Sequence, residues 1–175
     1  MTDPEREFAL ERLMDGRDAL LRAVDGLSEA QLRFQPQGRW SIAQCVEHLA
    51  TAEDVLFALI AEGAPNPNGV SLDPSKYARL TAAIVDRSRK VQAPPGVRPA
   101  DPGSLDDSRR SFLERRERTI AHVRECSKDL RRLFCLHPVL GEIDCYRCLI
   151  LMALHPARHA GQIEEIKQDA AFPKS

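Results

Sequence analysis

The sequence predicts an all-α protein, namely a four-helix bundle with one long proline-rich crossover connection. Four long segments repeat apolar residues at helical spacing, and no segment of alternating apolar and polar residues suggests a competing strand. Of the 175 residues, 43% are hydrophobic and 29% are charged, which is typical of a folded globular chain. We therefore expect a single domain over residues 1–175, with a helical core over about 8–168 and an irregular crossover over about 63–104.

The first two long helices are predicted from their start signals. Asp3 followed by Pro4 favours a helix start, and leucines at helical spacing continue that segment to near Gly26. Ser41 and Gln44 match a capping box, in which each side chain bonds the backbone N–H of the other residue. The second helix is expected to begin there and to end before the stretch EGAPNPNG, which is rich in helix breakers.

The crossover contains one more helical piece and then a proline-rich stretch. The piece is predicted from Asp73 to about Lys90. The stretch APPGVRPADPGS cannot be helical, because proline lacks a backbone donor and has a fixed φ, so we expect an extended connector across the bundle. The third long helix is predicted to begin at Ser104, with Asp107 in the capping-box position, and to end at about Glu125.

The fourth helix is predicted from near Asp144 to about Gln168, and it carries two histidines on its inward face. His155 and His159 are four residues apart, which places their Cβ atoms about 6 Å from each other on one helical face. His48 lies on the apolar face of the second helix and is the candidate third ligand. Helix bundles build metal sites from such inward side chains, and three imidazoles suit zinc, nickel, copper or iron. The alternative is three core histidines, each satisfied by a hydrogen bond.

Pro156 interrupts this pattern, since it follows His155 inside the predicted helix. It removes one N–H donor and pushes on the carbonyl of Met152, which costs about 3 kcal/mol in an ordinary helix. We therefore expect a local bulge or kink that rotates His155 relative to His159.

The cysteines give no metal site of their own. Cys145 and Cys148 form a CxxC that, with the two histidines, has a spacing like that of a zinc finger. All four residues would lie on one helix, too far apart for one ion, so Cys148 is expected to pack as a small apolar group. Trp40, just before the second helix, is expected to pack on Cys45. The five cysteines are read as free thiols of a reducing cytoplasm.

Charge and hydropathy argue against two classes of partner. No apolar run approaches ~20 residues and the first residues are acidic and polar, so neither a membrane span nor a signal peptide is expected. The net charge of -1 gives no general attraction to nucleic acid. The third helix is rich in arginine, but acidic residues interleave with them, which indicates a solvated face. Arg116 lies near its inward line and is expected either to meet an anionic substrate or to extend into solvent.

Two stretches resemble the DinB-like superfamily. WSIAQCVEHLATAE is similar to the family's entry into its second helix, and HPVLGEIDCYRCLILMALHPARHAGQIEEI is similar to its last loop and last helix. The resemblance covers about residues 8–168 and implies an up-down-down-up four-helix bundle, often dimeric. It also implies a three-histidine site for a divalent metal, nickel or zinc first and manganese or iron next. The matching positions are His48, His155 and His159. By its spacing, three residues after His159 on the same helix, Gln162 is either a hydrogen-bond donor to His159 or an amide on the helix surface.

The resemblance implies a metal-dependent enzyme, and three readings of it stay open. The first is a thiol S-transferase that uses a small-molecule thiol and an electrophile, and the second is a metal-dependent hydrolase. The third, from a different class, is a non-catalytic dimeric binding or stress-associated bundle with a vestigial site. Glu47 is adjacent to His48 but points elsewhere on the helix, so it is expected to be solvated and no general base is assigned.

Overall fold

Four long α-helices form the body of the protein in a computed structural model that describes residues 1–71, 73–100 and 104–174. Two shorter helices accompany them within those residues. The bounds in chain order are α1 Asp3–Val24, α2 Glu29–Arg33, α3 Ile42–Ala61, α4 Tyr77–Val85, α5 Leu105–Glu125 and α6 Cys145–Lys167. The predicted all-α class is confirmed, and the ends of the four long helices lie within about two residues of the predicted ones.

Capping boxes start α1 and α3. In α3 the Ser41 hydroxyl accepts the Gln44 N–H at 3.2 Å, and the Gln44 side chain accepts the Ser41 N–H at 2.9 Å, as predicted. In α1 the cap is Thr2 rather than Asp3, and Thr2 exchanges the same two hydrogen bonds with Glu5. Both helices therefore begin where local hydrogen bonds satisfy their first N–H groups.

The other two long helices start differently. Ser104 precedes α5, but among the described residues its side chain makes no capping hydrogen bond, so the predicted capping box with Asp107 is wrong. Asp107 instead pairs with Arg110 one turn further along the helix. α6 begins at a simple cap, in which the Asp144 carboxylate accepts the N–H of Arg147 at 2.8 Å.

The bundle places α6 between α1 and α3. α1 packs against α6 and α5, and α3 packs against the same two helices, so the order around the bundle is α1, α6, α3, α5. One hydrophobic cluster surrounds the first turns of α6, and a second surrounds the first turns of α3. A band of buried polar residues lies between these clusters, consisting of His48, Glu53, Arg116, Thr119 and His159.

A small antiparallel sheet lies beside the bundle, contrary to the expectation of no strand. Its strands are β1 Ala64–Pro65, β2 Leu133–His137 and β3 Gly141–Asp144, in the order β1-β2-β3. Cys135 lies opposite Ile143 in the β2–β3 hairpin, and Gly141 has a φ of 70°, which glycine adopts without a Cβ clash. Strands of two to five residues are too short for alternation to identify them, which is why the sequence analysis missed them.

The crossover helix ends earlier than predicted. α4 ends at Val85 rather than at about Lys90. Asp86 is extended, and its carboxylate accepts both the N–H and the hydroxyl of Ser88 at 2.8 Å. This local turn competes with the helix for backbone conformation and stops it. The proline-rich stretch is non-helical in its described part, apart from a short 3-10 turn at Pro95–Val97.

Side chains of α6 and α3 hold the crossover against the bundle. Arg158 donates to the carbonyl of Ile84 at 3.0 Å and to that of Arg89 at 2.6 Å. Glu47, which was expected to be solvated, accepts the N–H of Ala100 at 3.3 Å. The crossover therefore lies over the face of α3 and α6 that carries the three histidines.

α6 passes through Pro156 without a break, so the expected bulge is absent from this described segment. Met152, whose carbonyl would normally bond the missing N–H, accepts a hydrogen bond from the buried Arg116 at 3.1 Å. α1 also approaches closely here, because a Cβ on Gly16 would lie 2.4 Å from the carbonyl oxygen of Ala153. The turn before Pro156 is thus held from two sides in helical geometry.

Within the described residues, no helix is both long enough and apolar enough to cross a membrane.

Candidate metal centre

Three histidines from two facing helices meet in the polar band. His48 comes from α3, and His155 and His159 come from α6. Their ligand nitrogens all lie within 4.8 Å of one another. His48 and His159 are buried, whereas His155 keeps part of its surface accessible. The structure therefore brings together the three residues that the sequence singled out.

The Nε2 atoms of the three rings converge. The Nε2 atom of His155 lies 3.3 Å from that of His48 and 3.0 Å from that of His159. Two nitrogens bound to one ion at about 2.0–2.1 Å are separated by roughly 2.8–3.0 Å at an octahedral right angle and by roughly 3.3–3.4 Å at a tetrahedral angle. The two separations at His155 thus match those between ligands of one divalent ion, and neutral imidazoles are suitable donors for it.

A backbone carbonyl of the crossover orients His48. The Nδ1 atom of His48 lies 2.6 Å from the carbonyl oxygen of Val97, in the 3-10 turn. A carbonyl can only accept, so Nδ1 carries the proton and Nε2 presents its lone pair to the centre. This is the outer hydrogen bond typically found behind a metal-binding histidine. The sequence analysis did not identify Val97, because no motif marks a backbone acceptor about 50 residues away.

Gln162 does not occupy the position expected for it. Its side-chain oxygen accepts a hydrogen bond from Arg87 at 3.4 Å, and Arg87 also pairs with Glu165 at 2.7 Å. The Nδ1 atom of His159 is buried and has no hydrogen-bond partner among the described residues. Gln162 therefore helps to hold the crossover rather than orienting His159.

Trp40 covers one side of the histidine cluster. Its ring is nearly parallel to that of His159, with 6.2 Å between centroids, and lies 4.9 Å from that of His48. Trp40 also packs against the cluster that contains Cys45, in the region expected for it. Its position directly before the capping box of the helix that carries His48 is the sequence signal that could have identified it.

Burial keeps the three imidazoles neutral. Desolvation lowers the pKa of His48, although the hydrogen bond to Val97 acts in the opposite direction. Desolvation lowers the pKa of His155 and His159 well below the usual value, and the other histidines of the cluster lower it further. Neutral imidazoles have free lone pairs, so protons compete little with a metal ion for this site.

A buried ion pair contacts α6 one turn before His155. Arg116 is fully buried and bonds Glu53 at 2.8 Å, and Glu53 accepts the Thr119 hydroxyl at 2.9 Å. Burial raises the pKa of Glu53 despite the opposing charge of Arg116. Arg116 thus neither extends into solvent nor faces a substrate, contrary to both expectations, because its guanidinium is used inside the core.

Cys45 is unsuited to act as a nucleophile beside the centre. It lies one turn before His48 and is fully buried. Desolvation raises the pKa of its thiol to about 12, although the charge of Arg87 opposes this. The thiol therefore stays protonated near neutral pH and serves as core packing.

Comparison with known proteins agrees with this geometry. Residues 12–163 match the sequence model of the DinB superfamily. The chain is 25% identical over 149 residues to the uncharacterized protein YuaE of Bacillus subtilis strain 168, covering 83% of this chain and 88% of YuaE.

Among solved structures, the fold is similar to that of YfiT from Bacillus subtilis, with a TM-score of 0.63. That protein is described as "a probable metal-dependent hydrolase with an unusual four-helix bundle topology". The two chains are 18% identical, and the likeness covers 99% of this chain and 91% of YfiT, so it shows the shared bundle fold. Since the matching family model spans most of the sequence, this chain belongs to the DinB superfamily.

Proposed function

We propose that the protein is a metal-dependent enzyme, in which His48, His155 and His159 hold one divalent ion that activates a small-molecule thiol for transfer to an electrophile. The observation that carries the proposal is the convergence of three Nε2 atoms at separations of 3.0 and 3.3 Å. A divalent cation there supplies Lewis acidity, which lowers the pKa of a thiol or of water. Nickel and zinc are the proposed metals, with manganese and iron next.

The protein's own residues do three things in this proposal. The imidazoles supply neutral donors, and Val97 fixes the protonated nitrogen of His48 away from the ion. Trp40 shields one side of the centre from water. Three protein ligands leave coordination positions open for substrates.

A metal-dependent hydrolase is the second candidate, and the similarity to YfiT, described in those words, supports it. The three histidines, Val97 and Trp40 would play the same parts in a hydrolase. Only the nucleophile differs, being water instead of a thiol. Glu53 is unsuited to be a general base in either reaction, because Arg116 and Thr119 occupy both of its oxygens.

Elemental analysis of untagged protein tests the metal site. We expect about one nickel or zinc ion per chain after incubation with the metal, and loss of that ion in His159→Ala. His122→Ala is the matched control, because His122 lies on α5 outside the cluster and should leave the metal content unchanged. No bound metal after incubation with nickel, zinc and manganese would remove the basis of the proposal.

Activity assays on the metal-loaded protein then separate the two candidates. A thiol S-transferase should accelerate conjugation of a tripeptide thiol to monochlorobimane, whereas a hydrolase should cleave an activated ester without added thiol. Whichever activity the protein shows should disappear in His159→Ala and persist in His122→Ala. Conjugation that is equally fast in both variants would exclude the histidine centre as its source.

We also propose that the protein is a cytoplasmic homodimer, as the family resemblance implies. Sedimentation equilibrium should then give twice the 19.6 kDa mass of the chain. A mass equal to that of one chain across the micromolar range would contradict the dimer.

A further inference from the structure

Two adjacent residues of α3 hold the proline-rich segment of the crossover. The His48 ring meets the carbonyl of Val97, with 2.6 Å between Nδ1 and the carbonyl oxygen. One position earlier on the helix, a carboxylate oxygen of Glu47 accepts the N–H of Ala100 at 3.3 Å. Successive residues of a helix point about 100° apart, so the two side chains contact the segment at separate points. α3 therefore restrains the segment at two points rather than one.

The turn between these contacts has a rigid local structure. Pro94 and Pro95 have a fixed φ. The N–H groups of Val97 and Arg98 close the 3-10 turn onto the carbonyls of those two prolines, at 3.1 and 3.3 Å. The side-chain Nε of Arg98 also donates to the carbonyl of Ala93 at 2.9 Å. The turn therefore moves as one piece, so a restraint on the residues that follow it also restrains the carbonyl of Val97.

Glu47 is the nearer of two anchors of this turn. It holds Ala100, three residues after Val97. On the other side of the turn, the carbonyl of Arg89, eight residues before Val97, accepts a hydrogen bond from Arg158 at 2.6 Å. A shorter connection leaves fewer free backbone dihedrals, so Glu47 restrains the Val97 carbonyl more strongly.

The Glu47 carboxylate is committed to the crossover. Its second oxygen is buried and has no hydrogen-bond partner among the described residues. Burying such an oxygen costs free energy of solvation, so hydration does not hold the carboxylate in this place. Glu47 is also outside the group of residues whose ligand atoms converge at the metal centre. The contact with Ala100 is therefore the feature that gives this side chain a role.

We propose that Glu47 is a positioning residue of the metal centre. By holding Ala100, it keeps the Val97 carbonyl against Nδ1 of His48, so that the proton stays on Nδ1 and the Nε2 lone pair faces the ion. Glu47 touches neither the ion nor a substrate in this role. The inference rests on the proposed function, because it assigns Glu47 to the site that the three histidines form.

Loss of the anchor should weaken metal binding. When the Val97 carbonyl moves away, the imidazole of His48 can carry its proton on Nε2, where the proton blocks coordination. Binding an ion then requires the proton to move to Nδ1 and the ring to be immobilised. Loss of a hydrogen bond behind a ligand typically lowers metal affinity 10–100-fold. Since Glu47 acts through an intervening turn, we expect the lower end of that range, about tenfold.

Nitrogen NMR of the metal-free protein tests the effect on His48. Long-range ¹⁵N–¹H correlations of histidine rings distinguish a protonated ring nitrogen from an unprotonated one, and the signals of His48 are identified by their loss in His48→Gln. At about pH 8 the imidazoles are neutral. We expect the proton of His48 on Nδ1 in the wild type and a mixture of the two tautomers in Glu47→Ala.

Zinc affinity tests the consequence for the metal centre. Competition with a chromophoric chelator should show zinc binding about tenfold weaker in Glu47→Ala than in the wild type. Glu47→Gln keeps a side-chain oxygen that can accept the N–H of Ala100, so it should restore both the tautomer and the affinity. Asp54→Ala is the matched control, because Asp54 is a carboxylate of the same helix that pairs with Arg115 and Arg118 of α5. It should leave both measurements unchanged.

Three results would overturn the proposal: an unchanged His48 tautomer in Glu47→Ala, an unchanged zinc affinity in that variant, or a Glu47→Gln protein that behaves like Glu47→Ala. The tautomer is measured without metal, which separates this inference from the proposed function. Failure of zinc to bind the wild type would contradict the proposed function, and the NMR comparison would still decide whether Glu47 positions His48.

Discussion

The Nη2 atom of Arg116 lies 3.1 Å from the carbonyl oxygen of Met152, the group that Pro156 leaves without its helical donor. The same nitrogen lies 2.8 Å from Glu53. One buried guanidinium therefore satisfies both a carboxylate and the carbonyl at the turn that carries His155. Because that carbonyl has a donor, α6 has no need to bulge, and His155 stays aligned with His159.

Replacing Arg116 should destabilise the fold strongly. In Arg116→Met the Glu53 carboxylate stays buried without its cation and the Met152 carbonyl loses its donor. Removing one partner of a buried ion pair typically costs about 3–5 kcal/mol. We expect a loss of that size in the free energy of unfolding, measured by urea titration of the metal-free protein.

Arg110→Met is the matched control for this experiment. Arg110 lies on the same helix and pairs with Asp107, but both side chains are largely exposed. Exposed pairs contribute about 0–1 kcal/mol, so the control should change the unfolding free energy little. Equal losses in the two variants would contradict the role assigned to the buried guanidinium.

Arg116 and Pro156 should be energetically coupled. Pro156→Ala restores the N–H that bonds the Met152 carbonyl, so Arg116→Met should cost less in that background than in the wild type. We expect a coupling energy of about 0.5–1.5 kcal/mol, which is the size of one net hydrogen bond. A double-mutant cycle by urea unfolding measures it, and strictly additive effects would show that the guanidinium does not replace the missing donor.

The sequence allowed the three histidines to be predicted as one cluster, because the helical face on which each lies follows from helical geometry. His155 and His159 share a face by their spacing, and His48 lies on a helix with a clear capping box. The consequence of Pro156 was not predictable, since its compensating donor comes from Arg116 on another helix, 36 residues before Met152. Local propensity describes one helix at a time, whereas this hydrogen bond exists only after the bundle has packed.

The remaining parts of the site were missed for the same kind of reason. Val97 acts through its backbone carbonyl, which has no sequence signature, and it meets His48 across a crossover that periodicity does not describe. Side chains on the inward faces of the long helices, such as the three histidines, could thus be predicted, but hydrogen bonds from the crossover and from Arg116 could not.

Trp40 should report metal binding by fluorescence. It is the single tryptophan of the chain, and its ring is stacked 6.2 Å from that of His159. Nickel and copper ions quench a nearby indole, so titration should lower the emission and saturate at about one equivalent per chain. Zinc, which has a filled d shell, should compete for the site and reverse the quenching. His159→Ala should remove the saturable component, and quenching that persists there would place the ion elsewhere.

The metal-free protein should lose stability as the pH falls below about 6.5. The folded-state pKa of His48, His155 and His159 is lowered by desolvation, whereas in the unfolded chain each is about 6.5. Below that pH the unfolded chain therefore binds protons that the folded chain does not, which favours unfolding. Each such proton changes the free energy of unfolding by about 1.4 kcal/mol per pH unit. Above about pH 7 the three histidines are neutral in both states, so they no longer make the unfolding free energy depend on pH. Unfolding free energies measured between pH 5 and 7 should fall with decreasing pH. In the double variant His155→Gln/His159→Gln, the unfolding free energy should depend less steeply on pH. An unchanged dependence would mean that these two histidines are protonated to the same extent in the folded and unfolded chains.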